Sequence, residues 1–167
     1  MTTRRNPAGS KPEARSSEPR HWLLKTEPDC FSLADLRKKR TAPWDGVRNY
    51  QARNNLRAMK LGDRCIFYHS SAKPSGAAGI CVVVREHYPD HTAWDPSNEH
   101  YDPGDSPAVQ RWSMVDVRFE HAFARFLPLE ELREVPELAG MELFKRSRLS
   151  VQPVSAEHFA HICALGG

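Results

Sequence analysis

The 167-residue sequence has no apolar run near the roughly 18 residues that a membrane-spanning helix needs. Its first residues hold no apolar stretch of the kind a secretory signal carries. Cysteine is scarce and scattered. Cys30, Cys65, Cys81 and Cys163 form no C-x-x-C pair, which argues against a zinc knuckle or a disulfide framework. Cys65 and Cys81 fall inside apolar runs, as buried free thiols do. A reducing compartment is therefore expected: the cytoplasm, or the nucleus in a eukaryote. Catalytic signatures are also missing. There is no G-x-S-x-G elbow, no H-E-x-x-H, no phosphate-cradling G-x-x-x-x-G-K-[ST] and no G-x-G-x-x-G. His87 and His91 with Asp90 and Asp95, and His158 with His161, are the nearest approach to ligand sets. The first sits in or beside an irregular stretch and neither makes a persuasive metal site, so no metal and no cofactor are expected.

What is present is a globular composition, 40% hydrophobic and 27% charged. A chain of this size folds on its own core without metal or disulfide staples. Charge is more informative by region than in total. Residues 1–20 carry five bases and two acids, which accounts for the whole formal excess of +3. With Pro, Ser and Gly and no aromatic residue, that stretch is expected to be a disordered basic tail, leaving one domain over 21–167. Within the domain, residues 37–64 hold nine bases and two acids, whereas residues 86–105 hold six acids and no Lys or Arg. This sorting predicts one basic and one acidic face, suited to oriented docking on phosphate.

Periodicity predicts strands over 21–26, 64–69, 77–88, 112–126 and 149–153. It predicts helices after Ser32, where Asp35 completes a capping box, over 49–59, over 128–133 and over 155–165. Residues 89–111 read as a long polar loop, functional or mobile. Pro43 reads as a chain break. Strands separated by short helices give an α+β class, with a small, curved, mostly antiparallel sheet or barrel and helices at its periphery.

Four clusters could carry chemistry. Trp44-Asp45-Gly46-Val47-Arg48-Asn49-Tyr50-Gln51-Ala52-Arg53-Asn54-Asn55-Leu56-Arg57 places aromatic, turn and basic residues at a helix start, where free amides and arginines suit an anion. The bland alternative is a core Trp44, a capping Asn49 and solvated arginines. Phe67-Tyr68-His69-Ser70 ends a strand, and alternation puts one pair toward a pocket. Trp22 with Lys25-Thr26-Glu27-Pro28 offers a carboxylate just past a buried strand. Arg148-Leu149-Ser150-Val151-Gln152-Pro153 alternates polar side chains along a short strand.

In this order the four clusters resemble the EVE domain family, which takes in the thymocyte nuclear proteins of eukaryotes and many small bacterial proteins. Tyr88-Pro89-Asp90-His91-Thr92 and Trp112-Ser113-Met114-Val115-Asp116-Val117 add to the match, which runs from His21 to the last residues. Thr26 stands where many relatives have Ser, which keeps the hydroxyl. The resemblance implies a PUA-like curved barrel, related to YTH and ASCH domains, that holds a modified nucleobase of DNA or RNA in a pocket. A flipped base is expected to stack on Trp22, Trp44 and Tyr68. The expected base-binding set is completed by Glu27, Pro28, Asn49, Tyr50, His69, Ser70, Ser150 and Gln152. Lys25, Arg48, Arg53 and Arg148 are expected to hold phosphate or sugar. The expected chain is a monomeric, non-catalytic module. Two other readings stay open: an enzyme with His69 as general base beside Glu27 or Ser70, and a protein-interaction module using residues 89–111.

Overall fold

The apolar runs at 22–24 and 65–68 become the centres of strands buried on both sides. In the computed structural model, which describes residues 20–167, β1 (His21–Thr26) lies beside β3 (Arg64–His69), parallel to it. The tail expected at 1–20 lies outside the described residues except for Arg20. β3 pairs with β4 (Gly76–Pro89), β4 with β5 (Ser113–Pro128), β5 with the short β2 (Thr41–Pro43), and β1 with β6 (Val151–Val154), all antiparallel. The six-stranded order is β2-β5-β4-β3-β1-β6, mixed but mostly antiparallel. Register shifts interrupt the β3–β4 and β4–β5 ladders. Such bulges increase local twist and bend the strands, which lets the long β4 and β5 curve.

Alternation assigns the two faces. Trp22, Leu24, Cys65 and Phe67 point to one side and pack against Leu33 and Leu36 of α1 (Leu33–Lys39) and Ala52 and Leu56 of α2 (Tyr50–Ala58). Leu23, Ile66 and Tyr68 point to the other side. There they meet Leu132 of α3 (Leu129–Arg133), Leu143 of α4 (Glu142–Lys145), and Phe159 and Ile162 of α5 (Ala156–Gly166). Each fully buried side chain of this kind contributes roughly 1.5–3 kcal/mol.

The helix starts follow from their caps. The Ser32 hydroxyl accepts the Asp35 amide and the Asp35 carboxylate accepts the Ser32 amide, a complete capping box. The Asn49 side chain accepts the Ala52 amide at 2.9 Å and opens α2. Along α2, Asn55 donates to the Val151 carbonyl of β6 at 2.7 Å, and Arg57 Nε donates to Ser113 Oγ of β5 at 2.9 Å. α2 thus bridges two strands far apart in the sheet order and covers the seam of the curled sheet.

Four segments differ from the sequence expectation. Pro43 closes an edge strand rather than only breaking the chain, which suits a residue with no amide to donate. α4 was not anticipated. Pro128 stands just before α3 as its N-cap, with extended backbone angles, instead of inside its first turn. The polar stretch 89–111 is ordered by short local turns. The Asp95, Asn98 and Asp102 side chains accept the amides of Ser97, His100 and Gly104, and Asp102 also takes the Trp112 indole at 2.7 Å.

Candidate nucleobase cleft

The parallel β1 and β3 end side by side, with the Ser70 amide donating to the Thr26 carbonyl, and β6 begins at the same edge, where the Lys25 amide donates to the Ser150 carbonyl. The turn after β2 comes across from the other side. Between them opens a cleft of about 680 Å³, within the range of ligand-binding clefts. Its lining brings together Lys25, Glu27, Trp44, Arg48, Ser70, Arg148 and Ser150 from all the expected clusters. A second hollow of about 350 Å³ joins it through Thr26, Cys30, Trp44 and Asp45.

Trp44 is the rigid wall. Its amide donates to the Val115 carbonyl, extending the β2–β5 ladder, and its ring meets Phe67 edge-on at 5.5 Å and Phe31 at 6.3 Å. The following turn needs Gly46. Its φ is +79°, and a Cβ there would come within 2.6 Å of the His100 ring. His100 and Glu99, brought by the acidic stretch, form the facing wall. That stretch is pinned by a buried carboxylate. Asp90 accepts from the Gly46 amide at 2.8 Å, Arg48 Nη1 at 2.9 Å and the Thr92 amide and hydroxyl. Burial works to raise the Asp90 carboxyl, but the hydrogen bonds from Thr92, Arg48 and Gly46 outweigh it and hold the group below its ordinary value.

The charges inside are mixed. Glu27, Asp45 and Glu99 offer acceptors, whereas Lys25 and Arg148 offer donors. Lys25 Nζ donates to the Ser147 carbonyl at 2.8 Å, and burial lowers its pKa. Partial desolvation together with the Glu27 and Glu99 carboxylates pushes the Cys30 thiol up, so it stays a neutral thiol. Among the described residues no group of three or more His, Cys, Asp or Glu is placed to hold a metal ion.

Several expected site residues are elsewhere. Trp22 is 1% exposed, and its indole donates to Asp63 in the core, so no base can stack on it. Tyr68 is 2% exposed on the opposite face of the sheet, its hydroxyl pushed up to about 12 by burial. Gln152 is fully buried and donates to the Arg146 and Leu149 carbonyls at 3.0 and 2.9 Å, so it braces the loop that carries Arg148 instead of meeting a base. His69 Nε2 accepts the Leu33 amide at 3.2 Å, and burial lowers its pKa, so it completes the start of α1 and does not line the cleft. This corrects the general-base reading, because the lone pair such a base would use is occupied. Pro28 stands outside the lining, in the turn closed by amides donating to the Glu27 carbonyl.

Two more corrections concern charge. Arg48 touches the cleft, but its guanidinium is committed to Asp90, Thr92 and the His100 carbonyl. Arg53 donates to the Arg111 carbonyl and lies 4.8 Å over the Tyr50 ring, which itself stacks on Trp112 at 5.0 Å outside the cleft. The basic and acidic segments do not form two separate faces. They meet, through Arg48–Asp90 at 2.9 Å and Lys60–Glu86 at 3.7 Å. Glu99, His100 and Ser147 were not anticipated, and Asp45 stood in the first cluster without an assigned role. The acid excess of residues 86–105 was the available signal, since it complements the basic segment it packs on.

A curled, mostly antiparallel sheet with α2 across its seam and a polar, aromatic-walled cleft at its strand ends defines a PUA-like domain. Within that class the chain belongs to the EVE domain family, whose model matches residues 20–165. It is 48% identical over 164 residues to mouse thymocyte nuclear protein 1, covering 87% of this chain and 73% of that one. A hypothetical protein from Leishmania major is similar at TM-score 0.89 and 49% identity, covering 91% of this chain and 97% of that one. Human THYN1 protein, solved in complex with 5-methylcytosine-containing DNA, is similar at TM-score 0.86 and 46% identity, over 88% of this chain and 97% of that one. Among the described residues no helix is long and apolar enough to cross a membrane.

Proposed function

We propose that this chain is a non-catalytic reader of a modified nucleobase, which enters the cleft flipped out of its strand. The observation that carries the reading is the convergence of Trp44, Glu27, Ser70, Ser150 and Arg148, from four separated segments, on one cleft. The complex of the human relative with 5-methylcytosine-containing DNA supports it and makes DNA the carrier to test first. Flipping costs a few kcal/mol, and stacking on an aromatic wall returns roughly 1–3 kcal/mol per base. The two nearly cancel, so polar contacts decide which kind of base is held. Glu27 and Asp45 offer acceptors to a base amino group, and a base without that donor leaves a carboxylate desolvated and unpaired. The module works as a monomer over residues 21–167, in the cytoplasm or, as the relatives' name suggests, the nucleus.

The test is a titration of oligonucleotides that differ by one modified cytosine. The wild-type chain is expected to prefer the modified strand. Loss of the wall and loss of the acceptor are separated by two variants: Trp44→Ala weakens binding roughly tenfold or more, and the exposed Glu27→Gln weakens both strands alike, since both cytosines carry the same amino group, without touching the core. Equal affinity for both strands in the wild-type chain sinks the reading.

A further inference from the structure

The cleft does not end at its rim. At one end it runs through Cys30, Phe31 and Lys39 into a shallower groove bordered by Lys38. At the other it runs through Ser147 and Arg148 into a groove between the start of α2 and the loop after α4, bordered by Lys145 and Arg146. The result is one trough with cations at both ends and Glu27, Asp45 and Glu99 in the middle.

The cations at the two ends differ from three arginines nearby in the domain. Arg48, Arg57 and Arg64 are held by Asp90, Ser113 and Glu120. Lys38, Lys39, Lys145 and Arg148 are exposed, and among the described residues no ion pair holds any of them. A base inside a polynucleotide has a phosphate on each side. A site for such a base must therefore be open at both ends and positive at both, whereas a site for a free nucleoside needs neither. Carboxylates at the centre repel phosphate and admit a neutral base, so they fix which part of the strand sits where.

We propose that this trough is the track of one DNA strand, with the flanking phosphates on Lys38 and Lys39 at one end and on Lys145 and Arg148 at the other. The proposal rests on the base-reading function and adds the path of the backbone.

Its test is the salt dependence of binding. A DNA oligonucleotide with one 5-methylcytosine and its unmethylated counterpart are titrated between about 50 and 200 mM salt. The variants are Lys38→Ala with Lys39→Ala, Lys145→Ala with Arg148→Ala, and, away from the trough, Lys60→Ala with Lys73→Ala. Each end pair is expected to weaken both DNAs alike and to flatten log K against log salt by about 1.5, because each lost phosphate contact removes roughly 0.7–0.9. The control pair is expected to leave the slope unchanged. An unchanged slope for either end pair, or an equal loss in the control, overturns the track. Methyl preference kept with unchanged slopes overturns the track alone. Flattened slopes at both ends with no methyl preference support the track and overturn the base reading. No binding to either DNA overturns both.

Discussion

Asp90 shows how a single side chain can assemble the site without touching a ligand. Its carboxylate is fully buried and joins Gly46 and Arg48 of the cleft turn to Thr92 of the acidic stretch. Breaking a buried ion pair by removing one partner costs about 3–5 kcal/mol, because the other charge is left uncompensated. Asp90→Asn should cost that much near neutral pH in a denaturant titration. The pH dependence has a fixed sign. The folded-state pKa lies below the ordinary 3.8, so the stabilisation is present in full above about pH 4 and is lost as pH falls through the folded value. The gap between wild type and Asp90→Asn should therefore narrow below pH 4, where other carboxyls titrate equally in both. A gap that stays constant down to pH 2 would show that ionisation of Asp90 contributes nothing. At this scale the sequence was a partial guide. It marked Trp44, Glu27 and Arg148 by type and neighbours. It could not separate them from Trp22, Tyr68 and Gln152, because residue type does not tell whether a polar group faces a cleft or braces the backbone behind it.

The elements were more legible than the residues. Ser32 with Asp35, and Asn49 ahead of an amphipathic run, signal helix starts through local hydrogen bonds, and both helices begin where those caps stand. β2 and α4 escaped notice because three and four residues carry too little periodicity. β2 exists by pairing with β5, far away in sequence, and α4 by packing on β6, which follows it after a short loop. Asn49 is the element-scale test. If its side chain serves α2 only as a cap, Asn49→Ala costs about 1 kcal/mol, whereas Asn49→Ser, an equally good cap, costs little. DNA affinity should then follow stability across the two variants. An Asn49→Ser chain that melts like wild type but binds the modified oligonucleotide tenfold more weakly would make the amide a ligand contact.

At the scale of the whole molecule, the cleft exists only because segments from β1, the turn after β2, the end of β3, the acidic stretch and the loop before β6 arrive together. The sequence showed the segments but not their meeting, since it read complementary charge as two faces instead of one packed contact. A ligand held between so many segments binds the folded chain and not the unfolded one. It must raise stability by RT ln(1 + [L]/Kd), about 2.7 kcal/mol at one hundred times Kd. For a chain of this size that is a rise of roughly 5–11 °C in the unfolding midpoint. At the same concentration an unmodified strand bound tenfold more weakly adds about half as much free energy. Trp44 is 6% exposed and packed on Phe67, so Trp44→Ala lowers the free midpoint first, by a cost of about 3–5 kcal/mol. Each shift is therefore read against the same variant without DNA. The wild-type shifts should differ between the two strands, and those of Trp44→Ala should be small and equal. If Trp44→Ala keeps the full difference between strands, the discriminating contact lies outside the wall that Trp44 forms.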